Sequence, residues 1–268
     1  MLPVQLRRAH AKLNLTLCVG PPEPAGSPRA GYHRIVSWMH PIELADEIRV
    51  ERIDGPSRFI VRWAEDALRP TPIDWPIERD LAFRAHAALE AVVGAPLPVC
   101  IDVMKRIPVG GGLGGGSADA AATLLALIDE FSIAMEDGRL LDIAMGLGSD
   151  VAYFCDRGSD PPRPAVVSGF GESIRRVTAV DQDVVLVIPP FGCETRAVYR
   201  AFDTLLEREA SASDLAADLK AHAAGPLTAL ELERRNDLEP AAELIAPSLA
   251  EVRRVIRGVA GLEHVAMS

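Results

Sequence analysis

Six of the seven residues from Gly110 to Gly116 are glycine, and this run joins two segments with strong local order. Upstream, residues 99–104 alternate apolar and polar with the period of a strand. Downstream, residues 117–131 carry the apolar spacing of a helix. A strand, a glycine-dense turn and a helix in succession constrain the backbone more than any other feature of the chain. Glycine admits positive φ and has no Cβ, so a ligand can approach the main chain closely. Successive N–H groups then converge on an anion, and the helix start adds the positive end of its dipole. Ser117 stands where an N-cap belongs, with its hydroxyl placed to cap the helix or to meet a phosphate or a metal. The competing account is a flexible linker, but a Gly/Ser linker has no reason to sit between a strand and a helix.

Two standard nucleotide loops fail on these residues. The pattern G-x-G-x-x-G can be laid on Gly110, Gly112 and Gly115. A Rossmann unit, however, opens its sheet with this turn and places an acidic residue ~20 positions later, at the end of the next strand. Here about a hundred residues precede the loop, and those that follow it stay helical. A Walker loop needs Lys-Ser/Thr after its last glycine, whereas the sequence has Ser117-Ala118.

Composition narrows the class. The 268 residues suffice for one large domain or two of ordinary size. A hydrophobic share of 49% and a charged share of 25% are the balance of a globular protein. The formal net charge of −10 argues against a nucleic-acid partner, which is bound through clustered Lys and Arg. Anionic small ligands stay open, because backbone N–H groups and one or two cations can hold a phosphate locally. No apolar run reaches the ~18 residues needed to cross a bilayer, so no membrane partner is expected. The first residues lack the apolar core and cleavage site of a signal peptide. Cys18, Cys100, Cys155 and Cys193 lie far apart and form no metal-ligand spacing, so buried free thiols are expected and no metal ligand is assigned. These features point to a cytoplasmic enzyme or binding protein. Oligomeric state is not readable, and a homodimer stays open.

Along the chain, Leu13, Leu15, Leu17 and Val19 face one way and Lys12, Asn14, Thr16 and Cys18 the other, the period of a half-buried strand. A turn-rich stretch at 20–31 with four prolines follows. Residues 35–39, 47–53 and 58–62 read as short strands and 81–93 as a helix. After the glycine loop, 138–146 reads as helix, 151–155 and 184–188 as strands, 196–223 as helix broken near Ser211, and 238–257 as further helix. The residues at 261–268 read as a strand. The proline-rich turn at 160–164 is taken as a boundary between domains 1–160 and 161–268. Strands and helices mix without βαβ alternation, which favours α+β over a doubly wound sheet. There is no internal repeat.

The stretch Pro108-Val-Gly-Gly-Gly-Leu-Gly-Gly-Gly-Ser117 resembles the phosphate loop of the galactokinase–homoserine kinase–mevalonate kinase–phosphomevalonate kinase (GHMP) superfamily. Within it, the sequence is most similar to the 4-diphosphocytidyl-2-C-methyl-D-erythritol kinases of non-mevalonate isoprenoid synthesis. Ala11-Lys-Leu-Asn-Leu-Thr-Leu17 looks like their N-terminal strand, and Gly31-Tyr-His33 followed by Ser37 looks like their substrate segment. Leu147-Gly-Ser-Asp-Val151 resembles their catalytic Leu-Gly-(Ala/Ser)-Asp-Val, and Asn236-Asp-Leu-Glu-Pro240 their C-terminal-domain signature. The glycine loop points only to the superfamily. Gly-Tyr-His and Asn-Asp-Leu-Glu together favour this branch.

The resemblance implies a two-domain α+β GHMP kinase fold with the active site in the interdomain cleft. It also implies transfer of phosphate from ATP, with Mg²⁺, to the 2-hydroxyl of 4-diphosphocytidyl-2-C-methyl-D-erythritol. Carried over residue by residue, Lys12 and Asp150 would be the catalytic pair. Pro108, Val109, Gly110, Gly111, Gly112, Leu113, Gly114, Gly115, Gly116, Ser117 and Ala118 would bind the ATP phosphates. Tyr32 and Tyr199 would flank the cytosine ring, His33 would hydrogen-bond to it and Asn14 would lie near the substrate. Tyr199 is reached through Thr195-Arg-Ala-Val-Tyr199.

Phosphoryl transfer needs an in-line hydroxyl, a metal across the phosphates and cationic stabilisation of spread negative charge. Asp150 suits acceptance of the hydroxyl proton, with Lys12 beside it favouring the ionised carboxylate. Taken alone, Lys12 would be a solvated strand lysine, Asp150 a loop or cap aspartate, Tyr32 and Tyr199 core or surface aromatics, and His33 a loop histidine. Three departures from the family pattern stand out. A third glycine motif is expected directly after Ala266-Met-Ser268, where the sequence stops, so the second domain is expected to lack its C-terminal end and to leave a sheet edge and apolar surface open. The family's Asn-Leu-(Val/Ile) reads Asp80-Leu81-Ala82, and the 20–30 loop is long and proline-rich. A sister kinase acting on homoserine, a mevalonate relative or a sugar therefore stays open, as does a catalytically impaired nucleotide-binding protein.

Overall fold

The computed structural model describes residues 4–181, 183–209, 236–259, 265, 267 and 268. The chain divides into two compact units. One comprises Met1–Lys12, Pro41–Val109 and Leu113–Arg163, the other Leu13–His40, Gly110–Gly112 and Pro164–Ser268. Two long paired strands, β1 (Val4–Pro22) and β2 (His33–Arg52), contribute residues to both. Each unit mixes strand and helix. The parallel pair β3 (Arg58–Trp63) and β4 (Val99–Lys105), joined through the helix at Leu81–Val93, is a single βαβ step with no regular alternation beyond it, in keeping with the α+β expectation.

In the first unit, residues 47–52 of β2 pair antiparallel with β4 (Val99–Lys105), Glu47 opposite Met104 and Arg52 opposite Val99. The strand β3 (Arg58–Trp63) lies parallel to β4. Along β4 burial alternates strictly, with Val99, Ile101, Val103 and Lys105 inward. Four helices belong to this unit: α1 (Leu81–Val93), between β3 and β4, and then α2 (Gly115–Glu130), α3 (Asp137–Leu147) and α4 (Val151–Phe154). Helix α1 packs on α2 and α3, and α2 and α3 on α4. Every residue of α2 from 118 to 128 is buried, as befits a helix with almost no polar face. The Asp80 that stands in for the family's Asn accepts the Ala82 N–H at 2.9 Å and so caps α1, a task at which Asp and Asn are equivalent.

In the second unit, residues 35–39 of β2 pair antiparallel with β5 (Ala165–Gly169), which pairs in turn with β6 (Ser173–Arg176). Helices α5 (Thr195–Glu209), α6 (Glu239–Ile245) and α7 (Ser248–Arg257) complete its described elements. Leu17 and Val19 of β1 pack with Val198, Phe202, Leu238 and Ala241. The Asn236–Pro240 signature is the fastening of α6 to β1. Asp237 N–H donates to the Leu17 carbonyl at 3.0 Å, and the Asp237 carboxylate accepts the Val19 N–H at 2.9 Å.

Several expectations are corrected. The segment 12–19 is buried on both faces: Lys12 is 4% and Thr16 3% exposed, alongside Leu13 and Leu17 at 6%. The strands expected at 35–39 and 47–53 are one strand, β2, which runs on through Pro41 and Asp46 without a turn. Of the strand expected at 151–155, residues 151–154 form the single helical turn α4. All four of its residues are buried, and a short apolar run does not distinguish that case from a strand. Residues 184–188 form no strand; Val184, Val185 and Val187 are 50%, 77% and 51% exposed, and β-propensity without a pairing edge does not make one. The helix expected over 238–257 breaks at Ala246-Pro247 into α6 and α7. Much of 196–223 beyond α5, including the break near Ser211, lies outside the described residues. None of the four cysteines is in a disulfide, and only Cys18 is fully buried.

Candidate active site

The glycine loop owes its shape to left-handed backbone at alternate positions. Gly110, Gly112 and Gly114 have φ of 75°, 71° and 72°. Such alternation turns successive N–H groups into a nest that suits an anion. Gly114 is the N-cap of α2, and its carbonyl accepts the Ala118 N–H at 2.8 Å. Ser117 is therefore the third helical residue rather than the cap. The N–H groups of Gly115, Gly116 and Ser117 belong to the first turn, which has no acceptors within the helix. Gly114 is fixed by space as well as by φ: a Cβ there would lie 2.9 Å from the Phe154 ring and 3.1 Å from Lys12 Cγ. The loop is moored by buried Pro108, Leu113 and Ala118, while Val109, Gly110, Gly111, Gly112 and Gly116 are exposed. Leu113 accepts the Lys12 N–H at 2.9 Å, which binds the loop to β1.

The structure brings Lys12 and Asp150 together, with Nζ 3.6 Å from Oδ2. The Lys12 side chain is 5% exposed and that of Asp150 27%. A buried ammonium needs a counter-charge, and Asp150 supplies one while keeping an open side. Asp150 makes no cap bond to α4, although it occupies the N-cap, and its Oδ1 accepts the Ser149 hydroxyl at 3.4 Å. The wholly buried turn that follows holds it in place.

The other sequence-predicted residues lie in the second unit. Buried Ser37 places its hydroxyl 3.0 Å from Asn14 Oδ1 and 2.9 Å from the Thr16 carbonyl, which leaves Asn14 its amide NH₂ to offer. His33 Nδ1 donates to the Gly20 carbonyl at 2.8 Å. Its Nε2 lies 3.3 Å from Asp203 Oδ1, close enough for an ion pair but not aligned for a hydrogen bond. The Tyr199 ring is 5.0 Å from that of His33 and the Phe202 ring 5.9 Å. Tyr32 is 67% exposed and takes no part in this ring cluster.

Residues 80–158, from the cap of α1 through the loop to just beyond α4, match the family described as GHMP kinases N terminal domain. A 4-diphosphocytidyl-2-C-methyl-D-erythritol kinase from Desulfitobacterium hafniense (strain Y51) is 35% identical over 246 residues, covering 91% of this chain and 77% of that relative. The chain belongs to the 4-diphosphocytidyl-2-C-methyl-D-erythritol kinase family. A crystal structure of a 4-(cytidine 5'-diphospho)-2C-methyl-D-erythritol kinase agrees, with a TM-score of 0.64 at 31% identity over 94% of this chain and 82% of that one. The homoserine kinase of Cytophaga hutchinsonii shares the fold alone, with a TM-score of 0.53 at 16% identity over 93% of this chain and 80% of that one.

In this small-molecule kinase, sequence reasoning missed a buried charge cluster beside the loop. Lys105 Nζ contacts Asp46 Oδ2 and lies 2.5 Å from Asp119 Oδ2; the three residues are 4%, 0% and 3% exposed. Asp46 Oδ1 also accepts the N–H groups of Arg106 and Ile107, the latter at 2.8 Å. Burial pulls the Lys105 ammonium down, but Asp119 and Asp46 together outweigh it and hold it above the usual lysine value. Burial pushes the Asp119 carboxyl well up; Lys105 opposes the shift and Asp46 adds to it. Two signals were present in the sequence. Lys105 shares the parity of Val99, Ile101 and Val103, and Asp119 interrupts an otherwise apolar helix. Asp203, four residues after Tyr199 on α5, was also missed. Among the described residues, no helix is long and apolar enough to cross a membrane, and no three His, Cys, Asp or Glu residues form a metal cluster.

Proposed function

We propose that the chain transfers the γ-phosphoryl group of ATP to the 2-hydroxyl of 4-diphosphocytidyl-2-C-methyl-D-erythritol. The observation that carries this reading is the 3.6 Å approach of Lys12 Nζ to Asp150 Oδ2, with Lys12 packed under Gly114 of the glycine loop, in a member of that kinase family. The N–H groups of the loop and of the first turn of α2 bind the phosphates. Asp150 takes the hydroxyl proton as the new O–P bond forms, and the Lys12 ammonium offsets negative charge gathering on the reacting oxygens. Magnesium fits this chemistry. Mg²⁺ takes oxygen donors, in kinases one or two carboxylates plus phosphate oxygens, and here the part-exposed Asp150 would supply a carboxylate and Ser117 a neutral hydroxyl oxygen. The ion would neutralise charge on the phosphates when bound.

Tyr32 and Tyr199 flank the cytosine ring in this reading. With its ring nitrogens turned to Gly20 and Asp203, His33 hydrogen-bonds to the base through its main chain. Asn14 donates its amide to the substrate. The test is a coupled ATP-turnover assay with 4-diphosphocytidyl-2-C-methyl-D-erythritol against homoserine and mevalonate. Asp150→Asn is expected to lower kcat by ~10²- to 10⁴-fold with little change in ATP affinity. Preference for a cytidine-free alcohol would refute the substrate, and equal loss of turnover and ATP affinity would refute the role of Asp150.

A further inference from the structure

The glycine loop is closed at its base by groups the phosphoryl-transfer chemistry does not use. On the entry side, Asp46 Oδ1 accepts the N–H groups of Arg106 and Ile107, the last residues before Pro108. On the exit side, Asp119 lies one turn into α2 and presents Oδ2 to Lys105 at 2.5 Å. Lys105 Nζ bridges the two carboxylates, so one ammonium ties entry to exit. The two ends touch directly as well: a Cβ on Gly115 would lie 2.9 Å from Ile107 Cγ2, so no side chain fits between them. The other oxygen of Asp119, Oδ1, is buried with no hydrogen-bond partner among the described residues, so this side chain faces the cluster alone.

A span this rich in glycine has more backbone freedom to lose than any other of its length, and a free loop would spend nucleotide affinity on ordering itself. Fixing the two ends in advance removes much of that cost. Three wholly buried ionisable groups would be a poor way merely to fill a core, since apolar residues of similar size do so without desolvation. We propose that the Asp46–Lys105–Asp119 cluster is a positioning device that presets the glycine loop for the nucleotide phosphates, with Lys105 as its keystone. This rests on the kinase reading above, and it adds residues to which that reading gives no part in holding nucleotide or alcohol.

The test measures ATP affinity by titration calorimetry and both KM values by steady-state kinetics, on wild type, Lys105→Met, Asp119→Ala and Asp119→Asn. Lys105→Met is expected to weaken ATP binding by about 10- to 100-fold while the KM for the alcohol changes little. Asp119→Asn keeps an acceptor for Lys105 and is expected to restore most of the ATP affinity that Asp119→Ala loses. A purely structural cluster would lower the melting temperature without splitting the two KM values. That result, or equal ATP affinity in the Asp119 variants, overturns the proposal, and the Asp119 pair decides it if Lys105→Met does not fold. Wild type that fails to bind ATP would instead bring down the kinase reading itself.

Discussion

Replacing Gly114 by alanine separates backbone strain from crowding, because the same unit contains its control. Gly114 and Gly94 have nearly the same backbone, with φ of 72° and 73°. Gly94 ends α1, and a Cβ there would meet nothing within 4 Å. At Gly114 the Cβ would lie 2.9 Å from Phe154 Cζ and 3.1 Å from Lys12 Cγ. Placing an L-residue in left-handed backbone costs ~1–2 kcal/mol, and forcing extra atoms into a packed site a further ~1–3 kcal/mol. Gly94→Ala should therefore lose ~1–2 kcal/mol and Gly114→Ala ~2–5 kcal/mol, a gap visible in paired urea unfolding curves. The route of relief matters more than the sum. Both neighbours are buried, but Phe154 is a rigid ring in a wholly buried turn whereas Lys12 presents a flexible methylene stem, so Lys12 is the one that gives. Its displacement swings Nζ away from Asp150. Gly114→Ala is expected to lose about 10²-fold in kcat, a penalty typical of ~1 Å misplacement, while Gly94→Ala keeps wild-type kinetics. Equal destabilisation by the two substitutions, or wild-type kcat in Gly114→Ala, would refute the reasoning.

Two further outcomes follow. Tyr199→Ala should raise the KM for the cytidine substrate with ATP KM unchanged, by the ~1–3 kcal/mol that one base–aromatic stack contributes; an unchanged substrate KM would remove Tyr199 from the site. The Asp119 carboxyl is raised in the folded state, mainly by burial, so its contribution to stability is complete below the ordinary value of ~3.9 and is lost as pH rises through its folded value. Against Asp119→Asn, which cannot ionise, wild type should therefore lose ground steadily as pH is raised from 4 towards alkaline in chemical-denaturation curves, and a pH-independent difference would contradict this. Lys105 is raised too, so its own contribution persists through neutral pH and fades only in strong alkali.

What the sequence made legible is what local chemistry determines. The loop was readable because strand and helix signals bracket it, and α1 spans the residues its spacing predicts. Lys12 and Asp150 lie far apart in the chain, and only resemblance coupled them; nothing in their local spacing does. The failures have one cause. Residues 151–155 and 184–188 are both short apolar runs, yet one is a buried helical turn and the other unpaired, exposed chain. The difference lies in which neighbours the fold supplies, and no window of five residues contains that information. Ser117 was misplaced as a cap because the actual cap, Gly114, acts through its backbone angle rather than a side chain.

Lysine usage shows how the remainder could have been read. The chain has three lysines among its 28 basic residues, so arginine carries its surface charge. Lys220 lies outside the described residues, but Lys12 and Lys105 are each 4% exposed, each faces carboxylate, and each adjoins the glycine loop. An ammonium is a compact point charge that can be wedged between close oxygens, whereas a guanidinium is a broad plane that demands a matching fork. Where a chain so committed to arginine keeps a lysine on a strand, size is the reason. It follows that Lys12→Arg, which conserves charge, should not conserve function. Lys12 Cγ already stands within 3.1 Å of the space above Gly114, so the longer side chain has no slack in which to bring its charge to Asp150. A fall of about 10²-fold in kcat with ATP binding retained is expected, as for other small displacements of a reacting group. Full turnover by the Lys12→Arg enzyme would show that charge alone suffices at this position, and that the scarcity of lysine here carries no functional meaning.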